Sequence, residues 1–337
     1  MLLNTRTFAI GLLLASAAFS KLPENAVEKT SVEGVVEFKK DACLVVDAQC
    51  VTVTDQTKWN GDEVSTISDI PLGDKVKAKG YRMNDGTICA DKIKVEENKK
   101  GLLEDIVIGI GDEIEAEWLK KGYVSEPEKD SGEINVGKIL SSGKDFDRVN
   151  RIFKSIIPSY LKQRDFHIYV VENEDWNAFT LANGSIFVQK GLIDALDDNE
   201  LAFTLGHELA HYSYKHIYSE YKLQSAAEIA KLGLEKVKDK ITDSEKARYV
   251  MALLTDATAS VLNNQFDQRQ ENQADRVGLR YAFEAGYDVS EIPGLWKKFM
   301  DKYTDSNAAY NFFMGDHPTF KKRIKEVDEE VLYNYRK

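Results

Sequence analysis

The charged stretch Glu96-Glu97-Asn98-Lys99-Lys100-Gly101 divides the chain into two segments whose apolar residues recur with different periods. Before it, Val32–Phe38, Cys43–Val46, Cys50–Thr54, Lys75–Tyr81 and Ile88–Val95 are short runs rich in Val, Ile and Tyr. Each is bounded by turn residues, namely Asp47-Ala48-Gln49, Asn60-Gly61-Asp62, Pro71-Leu72-Gly73-Asp74 and Asn84-Asp85-Gly86. Short strands packed this densely predict a small closed or nearly closed β-barrel. Its few aromatics (Phe38, Trp59, Tyr81) make a poor stacking platform for nucleic acid, so a protein-contacting or spacer role is expected.

Beyond the linker the period becomes helical. Leu103–Lys121 and Asp145–Leu161 are expected helices, the second carrying Val149, Ile152, Phe153, Ile156 and Ile157 at helical spacing. His167–Glu172 and Ser185–Gln189 are expected strands. From Asp198 onward almost everything reads as helix, and Thr242 with Glu245 is the capping signature of a further long one. The fold class is therefore α+β, with an all-β unit over residues 21–98 and a mainly helical unit with a small sheet over residues 101–337.

Residues 1–20 have the form of a signal peptide. Arg6 is the only charge before Lys21, and the apolar run from Phe8 to Phe19 is shorter than the roughly twenty residues a spanning helix needs. Small residues follow, and cleavage is expected after Ser20; an uncleaved, weakly anchoring N terminus is the other reading. The mature chain then carries no transmembrane span and resides in the periplasm or outside the cell. There Cys43, Cys50 and Cys89 can form one disulfide, and the spacing leaves open which two pair. A formal net charge of −11 argues against non-specific binding to nucleic acid or anionic lipid.

The segment His207-Glu208-Leu209-Ala210-His211 has the form H-E-x-x-H. On a helix, residues four apart share a face, so both imidazoles reach one ion. Neutral imidazole is a good zinc ligand, and zinc lowers the pKa of bound water so that the adjoining carboxylate, Glu208, can take its proton. The neighbours Leu201, Ala202, Leu205, Leu209 and Ala210 make the helix too apolar for a solvated one, and two imidazoles and a carboxylate buried within it need a partner. Glu271 is the natural third ligand, and Asp275, four residues on, can accept a hydrogen bond from a liganding histidine. Without the upstream motif, Glu271 and Asp275 would read as a charged helix surface with Arg269, Arg276 and Arg280.

With Glu271-x-x-x-Asp275 following H-E-x-x-H, the chain resembles the Glu-zincin peptidases related to HtpX and the CAAX prenyl protease. Three more stretches carry the resemblance: Asn177-Ala178-Phe179 with Gly184, Ile186 and Val188; Gly191-Leu192-Ile193 leading to Asp198-Glu200-Leu201; and Asp316-His317-Pro318 followed by Arg323-Ile324. The likeness runs from about Leu103 to the C terminus. It implies a zincin-like metallopeptidase unit holding one zinc per chain, preceded by a barrel that loosely resembles bacterial OB-like accessory domains. It implies that Ser185, Ile186, Phe187 and Val188 form an edge strand against which an extended polypeptide substrate pairs. Asn177 would hold substrate or the oxyanion, and His317 would stabilise the transition state or close the open metal position in a latent form. His216 and His167 are given structural roles. The membrane helices of many relatives are missing, so activity on prenylated substrates is not carried over. Soluble exported members are associated with envelope protein quality control. A latent or inactive zinc-binding, chaperone-like protein is the alternative function.

Overall fold

The computed structural model describes residues 25–40, 43–60, 64–96, 102–127, 133–161, 166–219, 266–303 and 320–334. Residues 1–20, expected to be a signal peptide, the Thr242–Glu245 capping signature and His317 lie outside the described residues.

Strands β1 (Ala26–Lys40), β2 (Cys43–Val46), β3 (Gln49–Asn60), β4 (Lys75–Met83) and β5 (Ile88–Glu96) close into a barrel in the order β1-β2-β3-β5-β4. β1 is long enough to pair with β2 near its C-terminal end and with β4 over the rest, which closes the ring. Strand alternation sorts the side chains: along β4, Val76 and Ala78 are buried inside while Lys75, Lys77 and Lys79 are exposed. β1 and β3 outrun the apolar runs that predict them, because backbone pairing continues through their charged ends. The disulfide joins Cys43 to Cys50 across the β2–β3 hairpin, leaving Cys89 as a half-buried free thiol.

The second unit contains α1 (Leu102–Lys121), β6 (Tyr123–Pro127), β7 (Glu133–Leu140), α2 (Lys144–Ile156), β8 (Ile168–Glu172), β9 (Ala178–Thr180) and β10 (Ile186–Gln189). It continues with α3 (Lys190–Ala195), α4 (Asp198–Ser213), α5 (Gln268–Glu284), α6 (Ile292–Tyr303) and α7 (Phe320–Asn334). The sheet order is β6-β7-β8-β10-β9, with β8 and β10 parallel and the other neighbours antiparallel. Ile110, Ile114 and Trp118 of α1 cover one face, packing with Val171, Phe179 and Phe187. Helices α2 and α4 cover the other face, where Ile152, Ile156 and Leu205 meet Val170, Ile186 and Val188.

Two expectations are corrected here. Ser185, Ile186, Phe187 and Val188 do not form an edge strand: β10 pairs with β8 on one side and β9 on the other, and all of its residues are buried. A continuous apolar run such as Ile-Phe-Val marks a strand covered on both faces, as this one is. The second helix ends at Ile156 instead of Leu161, because Ile157 precedes Pro158 and adopts an extended conformation. The β6–β7 pair lies where the sequence pattern predicts no strand.

Helices α4 and α5 each begin with a capping box, Asp197 with Glu200 and Asp267 with Gln270. They cross backbone to backbone. A Cβ on Gly206 would stand 2.9 Å from the Gly278 carbonyl oxygen, and one on Gly278 would stand 2.7 Å from the His207 nitrogen. Helix α5 has two working faces. Glu271, Ala274, Asp275 and Gly278 are buried on the α4 side, while Arg269, Gln273, Arg276 and Arg280 meet the barrel. Arg269 pairs with Asp47, Arg276 with Glu37, and the Arg280 guanidinium lies 4.6 Å above the Phe38 ring. Arg276 and Arg280 are thus held against the barrel and shielded, while Arg269 stays exposed and reaches Asp47 from the solvent side.

The glycine crossing yields a prediction. Gly278→Ala is expected to destabilise the fold by about 1–3 kcal/mol, since both helices must give way. Gly109→Ala in α1, where an added Cβ meets nothing within 4 Å, should instead stabilise it by up to ~1 kcal/mol. Urea denaturation of both variants checks this, and equal effects would contradict the crossing.

Candidate metal centre

Helix α4 is buried on nearly all sides, and His207, Glu208 and His211 are 2%, 3% and 1% exposed. The two imidazoles project from one face, and the first turn of α5 brings Glu271 to them. His207 Nε2 lies 3.0 Å from His211 Nε2, and the two Glu271 oxygens lie 3.6 Å from His207 Nε2 and 3.6 Å from His211 Nε2. Ligands at 2.0–2.1 Å around a tetrahedral zinc are about 3.3 Å apart. The spacing therefore fits an ion at the centre, and this is the one group among the described residues with the geometry to hold a metal.

The surrounding hydrogen bonds support the same donor set. His207 Nδ1 lies 2.9 Å from Asp275 Oδ1 and donates to it, which leaves Nε2 as a lone pair in the neutral ring. Arg323 grips Asp275 through Nε at 2.9 Å and Nη2 at 2.8 Å, and its Nη1 lies 2.8 Å from Glu271. The same guanidinium sits 4.3 Å above the Trp296 ring. Burial would raise the Asp275 carboxyl, but Arg323 and His207 outweigh it and hold the pKa at about 2.

The histidines respond differently. Burial, together with the charges of His207 and His216, pushes His211 well below the ordinary imidazole range. Burial acts on His207 in the same direction, yet the hydrogen bond and charge of Asp275 and the charge of Glu271 reverse it, giving a net rise. A positive charge is thus favoured between the two Nε2 atoms. A proton or a metal ion can supply it, and the two compete. The dry, converging acceptors suit a divalent cation held by two imidazoles and a carboxylate.

Glu208 stands beside this group. Its Oε2 accepts a 2.8 Å hydrogen bond from the Thr180 hydroxyl, at the end of β9. Burial raises its pKa to about 7, against the opposing pull of His207 and Thr180.

The structure brings His207, Glu208, His211, Glu271 and Asp275 together. Asn177 stands just before β9, its carbonyl accepting from the Gln189 N–H at 2.8 Å. Its side-chain oxygen is buried, and no described hydrogen bond joins the side chain to the histidines or to Glu208. Ser185–Val188 lie one strand further in than expected. His167 pairs with Glu115, consistent with a structural role. His216 proves to be closer to the chemistry, with its Nδ1 3.1 Å from His211 Nδ1 and its Nε2 2.9 Å from Gln273. Thr180 and Arg323 were given no role from sequence. For Arg323 a signal existed: it falls inside the C-terminal stretch that carries the family likeness.

Comparison with known proteins follows the same division of the chain. Residues 33–94 match a domain of unknown function, DUF5666. Metalloprotease YcaL of Escherichia coli is 24% identical over 204 residues, covering 60% of this chain and 76% of the relative. Metalloprotease LoiP of the same organism is 25% identical over 170 residues, covering 50% of this chain and 62% of the relative. The mitochondrial metalloendopeptidase OMA1 of Danio rerio is 28% identical over 168 residues, 49% of this chain but only 35% of the relative's length. The family model described as peptidase family M48 matches residues 144–331, a span that runs from α2 into α7 and takes in every residue of the centre. The chain belongs to peptidase family M48.

Proposed function

We propose that this M48 protein is a zinc-dependent endopeptidase that hydrolyses unfolded or partly folded polypeptides in the cell envelope. The observation that carries the reading is the convergence of His207, His211 and Glu271 on one point, with the buried Glu208 carboxyl alongside. Zinc held there would polarise the scissile carbonyl and make water more acidic.

The remaining work falls to the chain's own groups. Buried beside the two imidazoles, with its pKa raised to about 7 in the metal-free protein, Glu208 is placed to serve as the base that takes and returns a proton. Thr180 anchors Oε2, and the Glu208 carboxylate is the base that would remove a proton from the attacking water and deliver it to the leaving nitrogen. Asp275 and Arg323 keep His207 oriented throughout. Substrate is expected to run extended along the β9 side of the sheet, where Thr180 and Asn177 lie, because β10 is enclosed. Asn177 would then contact substrate. His317, by the family likeness, would act at the open metal position.

An exported setting agrees with the Cys43–Cys50 disulfide, and no helix among the described residues is long and apolar enough to cross a membrane. One relative, 24% identical over 166 residues, is named for enhancing β-barrel assembly, which suits a role in envelope quality control. The closed five-stranded barrel supports an OB-like accessory unit, with a protein as any external partner.

Three outcomes test the reading. Cleavage of unfolded casein should fall about 10²–10⁴-fold in Glu208→Gln, with zinc content unchanged. Zinc in both proteins with cleavage in neither would favour a binding protein instead. His317→Ala should raise cleavage if this residue closes the site, and lower it if it stabilises the transition state; no change removes it from the mechanism.

The raised pKa of Glu208 also predicts how the metal-free protein responds to pH. Between the ordinary carboxylate value of about 4.5 and about 7 the folded state binds more protons than the unfolded state, so stability falls as pH rises. That contribution amounts to roughly 3 kcal/mol across the window and should vanish in Glu208→Gln. Urea midpoints at pH 4.5 and 7.5, measured in chelator for both proteins, give the difference; parallel curves would refute it.

A further inference from the structure

The barrel reaches the metal centre through a hydrogen-bond chain with a fixed direction. Glu37 of β1 is only 2% exposed and faces α5. Its carboxylate accepts from Arg276, with Nη2 at 2.9 Å and Nε at 3.3 Å, and from Gln273 Nε2 at 2.7 Å. Gln273 Oε1 lies 2.9 Å from His216 Nε2, and His216 Nδ1 lies 3.1 Å from His211 Nδ1. The Tyr214 hydroxyl, donating to the carbonyls of Val36 at 3.3 Å and Glu37 at 3.4 Å, holds this part of β1 against the peptidase unit.

Each link dictates the next. A carboxylate opposite a guanidinium can only accept, so Gln273 must turn its NH₂ towards Glu37 and its carbonyl towards His216. His216 must then donate through Nε2, which leaves its Nδ1 as an acceptor. His211 must therefore carry its proton on Nδ1, and its Nε2 lone pair points to the centre. Asp275 does the same for His207, directly and from within the peptidase unit. For His211 the group that decides comes from the other unit of the chain.

We propose that Glu37 is a positioning residue of the metal centre, fixing the tautomer and ring orientation of His211 through Gln273 and His216, so that barrel docking and metal affinity are coupled. This rests on the reading of His211 as a ligand. The barrel is then a working part of the peptidase, and any partner that loosens it from α5 weakens metal binding.

The test uses the full chain. Gln273→Leu cuts the chain of hydrogen bonds and leaves the Glu37–Arg276 pair in place. Glu37→Gln keeps the size of the side chain but lets the amide at position 273 turn over. Zinc affinity, measured by competition with a chromophoric chelator, should drop about 10–100-fold in Gln273→Leu and by less, in the same direction, in Glu37→Gln. His216→Gln retains an acceptor and a donor and should hold zinc better than His216→Leu, whereas a packing role would rank the leucine variant equal or better. In ¹⁵N-histidine spectra of the metal-free protein, His211 should be the Nδ1–H tautomer in the unmodified chain and a mixture in Gln273→Leu. Unchanged affinity and an unchanged tautomer in folded Gln273→Leu and Glu37→Gln would overturn the proposal. An unmodified chain that takes up no zinc would instead sink the peptidase reading, and the tautomer spectra would still decide the hydrogen-bond chain.

Discussion

Helices α4 and α5 touch backbone to backbone at Gly206 and Gly278, and the chemistry of the molecule depends on that contact. Each helix alone carries an incomplete site: α4 has two imidazoles and a carboxyl, and α5 has Glu271 and Asp275. Only at this separation can His207 reach both carboxylates, one through each ring nitrogen. Any side chain at the crossing would press into the backbone of the other helix and force the two apart.

Closeness creates a charge problem that the rest of the unit resolves. Glu271, Asp275 and Glu208 are all buried within or beside one group, and like charges in a dry site raise one another's cost. Arg323 from α7 supplies one positive charge and bridges two of the carboxylates. A divalent cation between His207, His211 and Glu271 would supply the rest. Without the metal, burial holds the Glu208 pKa at about 7, so the charge of the bound cation is what would favour its carboxylate form and prepare it to take a proton.

Local patterns in the sequence carried much of this, and distant pairings carried the remainder. The barrel strands were legible because each ends in its own turn residues, but the parallel β3–β5 pairing that helps to close them was not. His207, Glu208 and His211 were legible because four-residue spacing on a helix is a local fact. Glu271 and Asp275 were legible only once that motif gave the charges a purpose. Arg323 lies 48 residues from Asp275, and Glu37 lies 236 residues from Gln273, and no local period links such partners. The enclosed position of β10 could have been read from its unbroken Ile-Phe-Val run, which describes a strand covered on both faces. His216, taken alone, looked like any core histidine; its role depends on a residue contributed by the barrel.

The most direct test of the account is X-ray absorption at the zinc edge of the purified chain. The account predicts one zinc with a shell of nitrogen and oxygen only, at about 2.0–2.1 Å, with outer scattering from two imidazoles. Sulfur scattering near ~2.3 Å, which would draw in Cys89, or a shell lacking imidazole would contradict it.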